Sequence, residues 1–401
     1  MIGVRIALAL LLTTTIAAAE PAAVIDQIDR LVRAQFYAPA VLGQRGWDAA
    51  VREARAALAA TPAKRTEILS RLMARLATSH TEYIAPDNPR FAQIISIFDG
   101  FLGTAKDRCP DPAKLPALPI EVPEIGVWWT RLDERWFVGG VLDDTPAKAA
   151  GLVLGDEVVT ANGRRFQPVA AFAAGAPVTL AIRRTRGGPL RTITVAPKRV
   201  RPQAAFRAAI TASARIIERG AARVAYVRVW SWAGAEMQDA LEDAISDLNA
   251  KQPTAFVIDL RDGWGGASPD YLRIFDARIP VIESVGRDGQ RYRVDHHIHV
   301  PAAVLINRGS RSGKEVVAYG VKKHHLATLI GERTGAAVVA GGVYCLDDGA
   351  ILYLASSAVT IDGEVLEGKG VEPDVAVPFE LRYAAGADQQ LDAALAALGA
   401  R

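Results

Sequence analysis

The sequence predicts a multidomain α+β protein in which a helical module, a β-rich domain and an α/β domain follow one another along the chain. Apolar residues recur at helical spacing within residues 20–98. Short alternating strands separated by glycine turns fill residues 122–200, and buried strand runs alternate with helical patterns over residues 201–380. The 401 residues, 50% hydrophobic and 23% charged, suit a small number of globular domains.

Residues 1–19 have the pattern of a secretory signal. Arg5 precedes an apolar run over residues 6–12, and the small residues up to Ala19 fit a cleavage site. The run is too short to span a bilayer comfortably, although an uncleaved anchor is the alternative. We expect an exported protein, secreted or periplasmic, that contacts a membrane only if the signal is retained.

The overall charge and the two cysteines narrow the partners and the compartment. The 47 basic residues nearly balance the 44 acidic ones, which leaves a net charge of +3, and no long basic stripe is present. Nucleic acid is therefore not an expected partner. Cys109 and Cys345 could pair in an oxidising compartment, while two free thiols are the alternative.

The helical module ends near a histidine, and a linker is expected after it. Helical spacing stops at residues 77–83, which places His80 in a loop close to a helix end. A lone histidine at such a position is more often a surface or capping group than a catalyst. From Phe91 the pattern becomes irregular, and prolines between residues 110 and 119 predict a linker over residues 99–121.

Four short segments mark the domain over residues 122–200: Thr145-Pro146-Ala147, Ala150-Gly151-Leu152, Gly155-Asp156 and Asn162-Gly163. By these segments the domain resembles a PDZ domain of the bacterial, protease-associated type. PDZ domains bind a polypeptide C-terminus by strand addition, with backbone N–H groups holding the carboxylate. By this resemblance the carboxylate-binding loop is Glu124-Ile125-Gly126-Val127, and a spacer without a ligand is the alternative.

In the α/β domain, a serine lies at a predicted strand-to-helix turn. Residues 302–306 are typical of a buried strand, and helical spacing begins at Val316. Ser312 lies between them, where its hydroxyl can project outward and the helix N-terminus offers free N–H groups to a developing oxyanion. The alternative is that Ser312 serves only as the N-cap of the helix.

Four segments of this domain form a recognisable set. They are Asp259-Leu260-Arg261 with Gly265-Gly266, Ser312 three residues before Glu315, Gly331-Glu332-Arg333-Thr334, and the run from Asp362-Gly363 through Glu367 to Asp374. By these residues the domain resembles the carboxyl-terminal processing proteases and their tricorn-core relatives, which implies an α/β fold of the crotonase-like type. The resemblance covers nearly all of residues 20–400 and implies a serine peptidase that cleaves polypeptides. A helical tail is expected over residues 381–401.

One position departs from the family pattern. Many of these proteases use a serine–lysine dyad, and Ala337 stands where that lysine is expected. Lys314 is a poor substitute, because side chains at i and i+2 of a helix point apart. Lys369 is a more distant candidate. An inactive, peptide-binding homologue is therefore the alternative to an active peptidase.

The tricorn-like branch of the family implies a triad in place of the dyad. In this chain its members are Ser312 as nucleophile, His80 as general base and Glu367 as the carboxylate that orients the ring. The expected oxyanion donors are the backbone N–H groups of Gly265 or Gly266 and of Gly313. A modestly perturbed imidazole would make activity rise with pH through an apparent pKa of about 6.5–7.

No metal or other cofactor is expected. His296, His297 and His299 alternate on a predicted strand, and the last two share a face, but a zinc site needs a third ligand that the pattern does not name. An esterase-like hydrolase is disfavoured because Gly-x-Ser-x-Gly is not met around Ser312. The sequence thus predicts an exported serine peptidase with a polypeptide substrate.

Overall fold

A computed structural model describes residues 21–399 with the exception of residues 103, 105, 106, 112 and 113. The predicted signal segment, residues 1–19, lies outside the described residues. Within the part of the chain that is described, none of the helices has both the length and the apolar character needed to cross a bilayer.

Helices α1 to α4 form an N-terminal module around one apolar core. Their bounds are Pro21–Gln35 (α1), Val41–Gln44 (α2), Trp47–Ala60 (α3) and Arg65–Ala74 (α4), with a 3₁₀ helix at Pro62–Lys64. Ile28, Trp47 and Leu69 are at most 1% exposed and lie in this core. These helices form where apolar residues recur at the 3.6-residue period, because that period gives each helix one apolar face.

Strand β1 (Glu82–Ile84) and helix α5 (Arg90–Leu102) follow the module. The predictions of an irregular chain from Phe91 and of a linker from residue 99 are therefore wrong for the residues that form α5, since this helix continues to Leu102. Phe91 and Ile94 lie one helical turn apart and are buried in the main core of the protein. The prolines that suggested a linker come only after this helix has ended, so they do not interrupt it.

The β-rich domain is an antiparallel sheet with two short helices. Its elements are Val122–Glu124 (β2), Val127–Leu132 (β3), Arg135–Val141 (β4), Pro146–Ala149 (α6), Glu157–Ala161 (β5), Arg164–Arg165 (β6), Pro168–Phe172 (α7), Val178–Arg183 (β7), Leu190–Val195 (β8) and Lys198–Val200 (β9). The sheet order is β3-β4-β5-β7-β8, with β6 paired to β5, and β2 pairs with β9. The Asn162-Gly163 turn has φ of 49° and 76° at its two residues, as a tight hairpin turn between β5 and β6 requires.

The α/β domain is built on a second, mostly parallel sheet. Its elements are Pro202–Ser213 (α8), Arg215–Arg219 (β10), Ala222–Arg228 (β11), Ala235–Asn249 (α9), Ala255–Asp259 (β12), Ile282–Val285 (β13), Arg291–Val294 (β14), Ala302–Ile306 (β15), Gly313–Lys323 (α10), Thr328–Gly331 (β16), Val339–Cys345 (β17), Ile351–Ala358 (β18), Val375–Ala376 (β19) and Gln389–Ala397 (α11). The sheet order is β10-β11-β12-β15-β16-β19, and only β10 and β11 pair antiparallel. A 3₁₀ helix lies at Pro269–Phe275, and the Ser268 side chain that precedes it does not cap it.

The parallel register decides where the functional loops meet. Strands β12, β15 and β16 are neighbours, so their carboxyl ends lie side by side at one edge of the sheet. The loops that leave this edge carry the glycines after residue 262, the turn before α10 and the segment after Gly331. Clefts at this edge are the usual place for ligands in open α/β sheets.

A small sheet joins the helical module to the α/β domain. Strand β1 pairs with β18, and β18 pairs with β17, so that Glu82 lies opposite Tyr353.

The sequence left the state of the two cysteines open, and the structure confirms the pair: Cys109 and Cys345 form a disulfide with their Cα atoms 4.8 Å apart. The bond fastens the segment after α5 to the end of β17.

The histidines at 296, 297 and 299 do not lie on a strand, so that prediction is wrong. Strand β14 ends at Val294, and the histidines lie in the loop that leads to β15. The carbonyl oxygens of Asp295 and His297 accept hydrogen bonds from the Asn249 side chain of α9, at 2.9 and 2.7 Å. The backbone carbonyl groups of this loop thus accept hydrogen bonds from a side chain, whereas those of a strand would accept them from the backbone of a neighbouring strand.

Candidate active site

Ser312 occupies a strained turn between β15 and α10. Its backbone has φ 56° and ψ −128°, in a region that non-glycine residues rarely adopt. The Ser312 N–H donates to the Ala337 carbonyl at 2.9 Å and to the Glu315 carboxylate at 3.1 Å, which holds the turn in place. Such strain at a serine that faces a cavity is typical of a functional site.

The buried carboxylate of Glu315 organises the segment beside this serine. It accepts hydrogen bonds from the Thr334 hydroxyl at 2.6 Å and from the backbone N–H groups of Ala336 and Ala337, both at 2.8 Å. Burial raises the pKa of Glu315, and these hydrogen bonds oppose the shift. Ala337, which stands where the family resemblance predicts a lysine, is therefore fixed next to Ser312.

Ser310 has a structural role in the same turn. It is fully buried, its hydroxyl donates to the Leu260 carbonyl at 2.9 Å, and it accepts from the Asn307 N–H at 3.1 Å. Because its hydroxyl is already used in these two bonds, Ser310 ties the turn to the end of β12 and is a weaker candidate for the nucleophile than Ser312.

Neither candidate lysine is placed to act as the base. Lys314 is fully buried, and its ammonium donates to the carbonyls of Asp262 and, at 2.7 Å, Val229. Burial lowers the pKa of Lys314 to about 7, yet its protons are committed to these carbonyls. Lys369 is exposed on the surface.

His80 shares a cavity of about 220 Å³ with Ser312. The imidazole is 3% exposed, its backbone is left-handed with φ 53°, and its ring lies 5.2 Å from the Tyr353 ring, centroid to centroid. Burial, reinforced by the nearby positive charge of Arg311, lowers the pKa of His80 to about 3. The sequence-based expectation of a modestly perturbed imidazole does not include this burial, which favours the neutral ring.

The carboxylate of Glu367 reaches His80 through a residue that sequence reasoning missed. The Ser79 hydroxyl donates to Glu367 Oε2 at 2.8 Å, and this hydroxyl oxygen, Ser79 Oγ, lies 2.9 Å from His80 Nδ1. A hydroxyl has one proton to give, so Ser79 accepts from Nδ1–H. This leaves the lone pair of the ring on Nε2, the tautomer that a general base requires.

Glu367 is itself fixed by the backbone. Its Oε1 accepts the Ser79 N–H at 2.8 Å, and its Oε2 accepts the Val338 N–H at 2.8 Å. The order of the hydrogen bonds is therefore Glu367, Ser79, His80, so the carboxylate that the sequence expected to orient the ring reaches it through Ser79. The dipeptide Ser79-His80 was the available signal, because adjacent residues in a left-handed turn can hydrogen-bond to each other.

The three predicted oxyanion glycines lie together beside Ser312. A Cβ atom added to Gly265 would lie 2.6 Å from the Ser312 Cβ, and one added to Gly313 would lie 2.8 Å from the Gly266 nitrogen. Gly266 also has φ 101°, a backbone conformation that glycine adopts at little cost and that other residues rarely adopt. Within the described ranges, none of these three N–H groups donates a hydrogen bond to the protein. They are free to bind an oxyanion.

The rest of the cavity is mostly apolar, and helix α5 supplies much of it. Ile94, Ile97 and Phe98 line one side, and Val339 and Gly341 line another. A pocket of this character accepts an apolar side chain of a bound substrate.

The predicted carboxylate-binding loop borders a second cavity, of about 280 Å³, that runs between β3 and α7. The N–H groups of Ile125 and Gly126 donate to no protein group in the described part of the chain. Trp129 and Phe172 line the apolar floor of the cavity. Burial raises the pKa of Glu124, which lies in the same loop, to about 7.

A strained serine beside unpaired backbone amides and a buried imidazole is an arrangement typical of the active sites of serine hydrolases. Residues 223–377 match peptidase family S41. The α/β domain is therefore similar to the peptidase domains of that family, and the predicted family resemblance is confirmed.

The chain is also similar to two curated carboxyl-terminal-processing proteases. The chain is 24% identical to the chloroplastic carboxyl-terminal-processing peptidase 1 of Arabidopsis thaliana over 329 residues, which are 78% of this chain and 62% of the relative. It is 27% identical to the carboxy-terminal-processing protease of Bartonella bacilliformis over 266 residues, 60% of this chain and 58% of the relative. The chain thus spans less than two thirds of the length of either relative.

The fold is shared with a solved structure. The photosystem II D1 C-terminal processing protease aligns over 92% of this chain and 98% of its own, with a TM-score of 0.50 and 18% identity. The likeness shows a common mixed α/β architecture.

Proposed function

We propose that this protein is an exported serine endopeptidase or carboxyl-terminal processing peptidase that uses Ser312, His80, Ser79 and Glu367. The observation that carries the proposal is the single cavity in which the strained Ser312, the free glycine amides and the buried His80 meet. Ala337 removes the lysine of the usual dyad, and the His80 tautomer supplies a base in its place.

The reaction is an acyl transfer in two stages. His80 Nε2 takes the Ser312 proton as Oγ bonds to the scissile carbonyl carbon, and the carbonyl electron pair moves onto its oxygen. The tetrahedral intermediate collapses, the C–N bond breaks, and His80 gives its proton to the leaving amine. Water then attacks the acyl-enzyme by the same route and releases Ser312.

Two features offset the low proton affinity of His80. The amides of Gly265, Gly266 and Gly313 would stabilise the oxyanion, each by about 3 kcal/mol of barrier. The relay through Ser79 places the Glu367 carboxylate where it stabilises imidazolium as it forms. Two opposite charges therefore develop close together in the transition state, the negative charge of the oxyanion and the positive charge of the His80 imidazolium.

The PDZ-like domain would deliver the substrate. A C-terminal segment added along β3 would place its carboxylate at the unpaired N–H groups of Ile125 and Gly126, with Val127 beginning the added ladder. Trp128 of β3 lies edge-on to Trp264, 6.0 Å between ring centroids, and Trp264 directly precedes Gly265. A peptide bound on β3 would thus lie close to the oxyanion loop.

The second candidate function is peptide binding without cleavage. It is favoured by Ala337 and by the absence, within the described residues, of a hydrogen bond between Ser312 and His80. Catalytic hydrogen bonds are often long before substrate binds, so this geometry does not exclude catalysis.

Incubation with an unstructured polypeptide that ends in an apolar residue, followed by mass spectrometry, distinguishes the peptidase from the peptide-binding protein that does not cleave. Cleavage by the mature chain and none by Ser312→Ala is the expected result. Binding by both proteins with cleavage by neither would establish the inactive homologue.

A further inference from the structure

Asp295, His297 and His299 gather in the loop that follows β14. One possible ligand atom from each lies within 4.8 Å of those from the other two. His299 Nε2 is 2.7 Å from Asp295 Oδ1, and His297 Nδ1 is 3.6 Å from the same oxygen. Asp295 is the third group that the sequence pattern of alternating histidines did not name.

His297 carries the strongest indication of a ligand. The residue is 2% exposed, and both of its ring nitrogens are buried without a hydrogen-bond partner in the described structure. Burying a polar group without a hydrogen-bond partner is unfavourable. A buried, unpartnered imidazole beside a carboxylate and a second imidazole is well suited to ligate a metal ion.

The loop is rigidly placed before any ligand binds. Asn249 of α9 donates to the carbonyls of Asp295 and His297, and the Asp295 N–H donates to the Ser246 hydroxyl at 3.1 Å. Arg293 donates to Asp295 Oδ2 at 2.9 Å, which leaves Oδ1 turned to the histidines. Asp295 is thus oriented by partners outside the cluster, as metal ligands usually are, and the backbone of His297 is held by Asn249.

We propose that Asp295, His297 and His299 form a site for a divalent transition metal, with Zn²⁺ as the best match. Two imidazole nitrogens and one carboxylate oxygen suit Zn²⁺. Bonds of about 2.0–2.2 Å require the ligand atoms to be roughly 3.3 Å apart. The His299–Asp295 pair would open by about 0.6 Å to reach that value, and the His297–Asp295 pair already lies close to it.

The metal would clamp the hairpin of β13 and β14 to helix α9. The ligands follow β14 directly, while Ser246 and Asn249 hold the same loop to α9. Three protein ligands leave the fourth position to water or to a group from another molecule. None of the three residues lines the cavity of Ser312, so the site is separate from the peptidase chemistry.

The test uses the mature, full-length chain without a polyhistidine tag, stripped with chelator and titrated with Zn²⁺ in a calorimeter. Wild type should bind one Zn²⁺, and its melting temperature should rise with the metal. His299→Ala, at a half-exposed position that tolerates change, should weaken binding at least about tenfold and abolish the melting shift. Asp295→Asn should do the same.

Two variants control for other histidines. His296 points to Glu242, 3.5 Å away, and His324 lies at the end of α10. His296→Ala and His324→Ala should bind Zn²⁺ as wild type does. Failure of wild type to bind, or equal affinity in wild type and His299→Ala, would overturn the proposal.

Discussion

Replacing Ser79 by alanine removes one oxygen from the centre of the Glu367–Ser79–His80 relay. The Ser79 N–H still donates to Glu367 Oε1, so the loop keeps one of its two bonds to that carboxylate. The change therefore acts on the imidazole and leaves the backbone in place. In the transition state the imidazolium Nδ1–H then has no acceptor.

The magnitude follows from the bond that is lost. A hydrogen bond to a charged group contributes about 1.5–3 kcal/mol, and each 1.36 kcal/mol is a factor of about ten in rate. We expect kcat to fall about 10- to 150-fold in Ser79→Ala, with KM changed little because the substrate pocket is untouched. His80→Ala should lose several orders of magnitude, because the base itself is gone.

Steady-state cleavage of an internally quenched peptide measures both parameters. Ser79→Thr is the matched control, since it keeps a hydroxyl and should recover most of the rate. A Ser79→Ala enzyme as fast as wild type would refute the relay. A loss in kcat equal to that of His80→Ala would show that Ser79 does more than orient and stabilise the ring.

Three further outcomes follow from the same structure. The pH profile of kcat/KM should stay level on acidification through pH 6.5, since the base acts when neutral and the pKa of His80 lies at about 3; an acid limb near pH 6.5 would contradict this. Affinity for a free C-terminus, measured by calorimetry, should fall as pH rises through about 7, where Glu124 ionises and repels the carboxylate, and Glu124→Gln should level the curve. Replacing Cys109 and Cys345 with serine should lower the free energy of unfolding by about 3–5 kcal/mol in denaturant titrations, because the bond closes a loop of 236 residues; an unchanged midpoint would reject that.

The parts of the site that the sequence could predict lie at strand ends. Ser312, Gly265 and Gly266 follow apolar strand runs, and the parallel order of those strands brings their ends to one edge. The glycines were informative because close backbone contact excludes any Cβ at those positions. Local pattern and supersecondary geometry were enough for this half of the site.

The remaining parts depend on packing between distant segments. Glu367 and Ser79 are 288 positions apart, and no local pattern shows that a hydroxyl intervenes between the carboxylate and the ring. The low pKa of His80 arises from burial and from Arg311, which becomes its neighbour only in the folded chain. Helix α5 was missed because prolines beyond its end dominated the local signal.

The central claim is that Ser312 is a nucleophile activated by His80. Labelling the mature protein with a fluorophosphonate, followed by peptide mapping in a mass spectrometer, tests it most directly. The account predicts a single modified residue, Ser312, with labelling absent in Ser312→Ala, much slower in His80→Ala and retained in Ser310→Ala. Labelling at Ser310, or an equal labelling rate in wild type and His80→Ala, would contradict it.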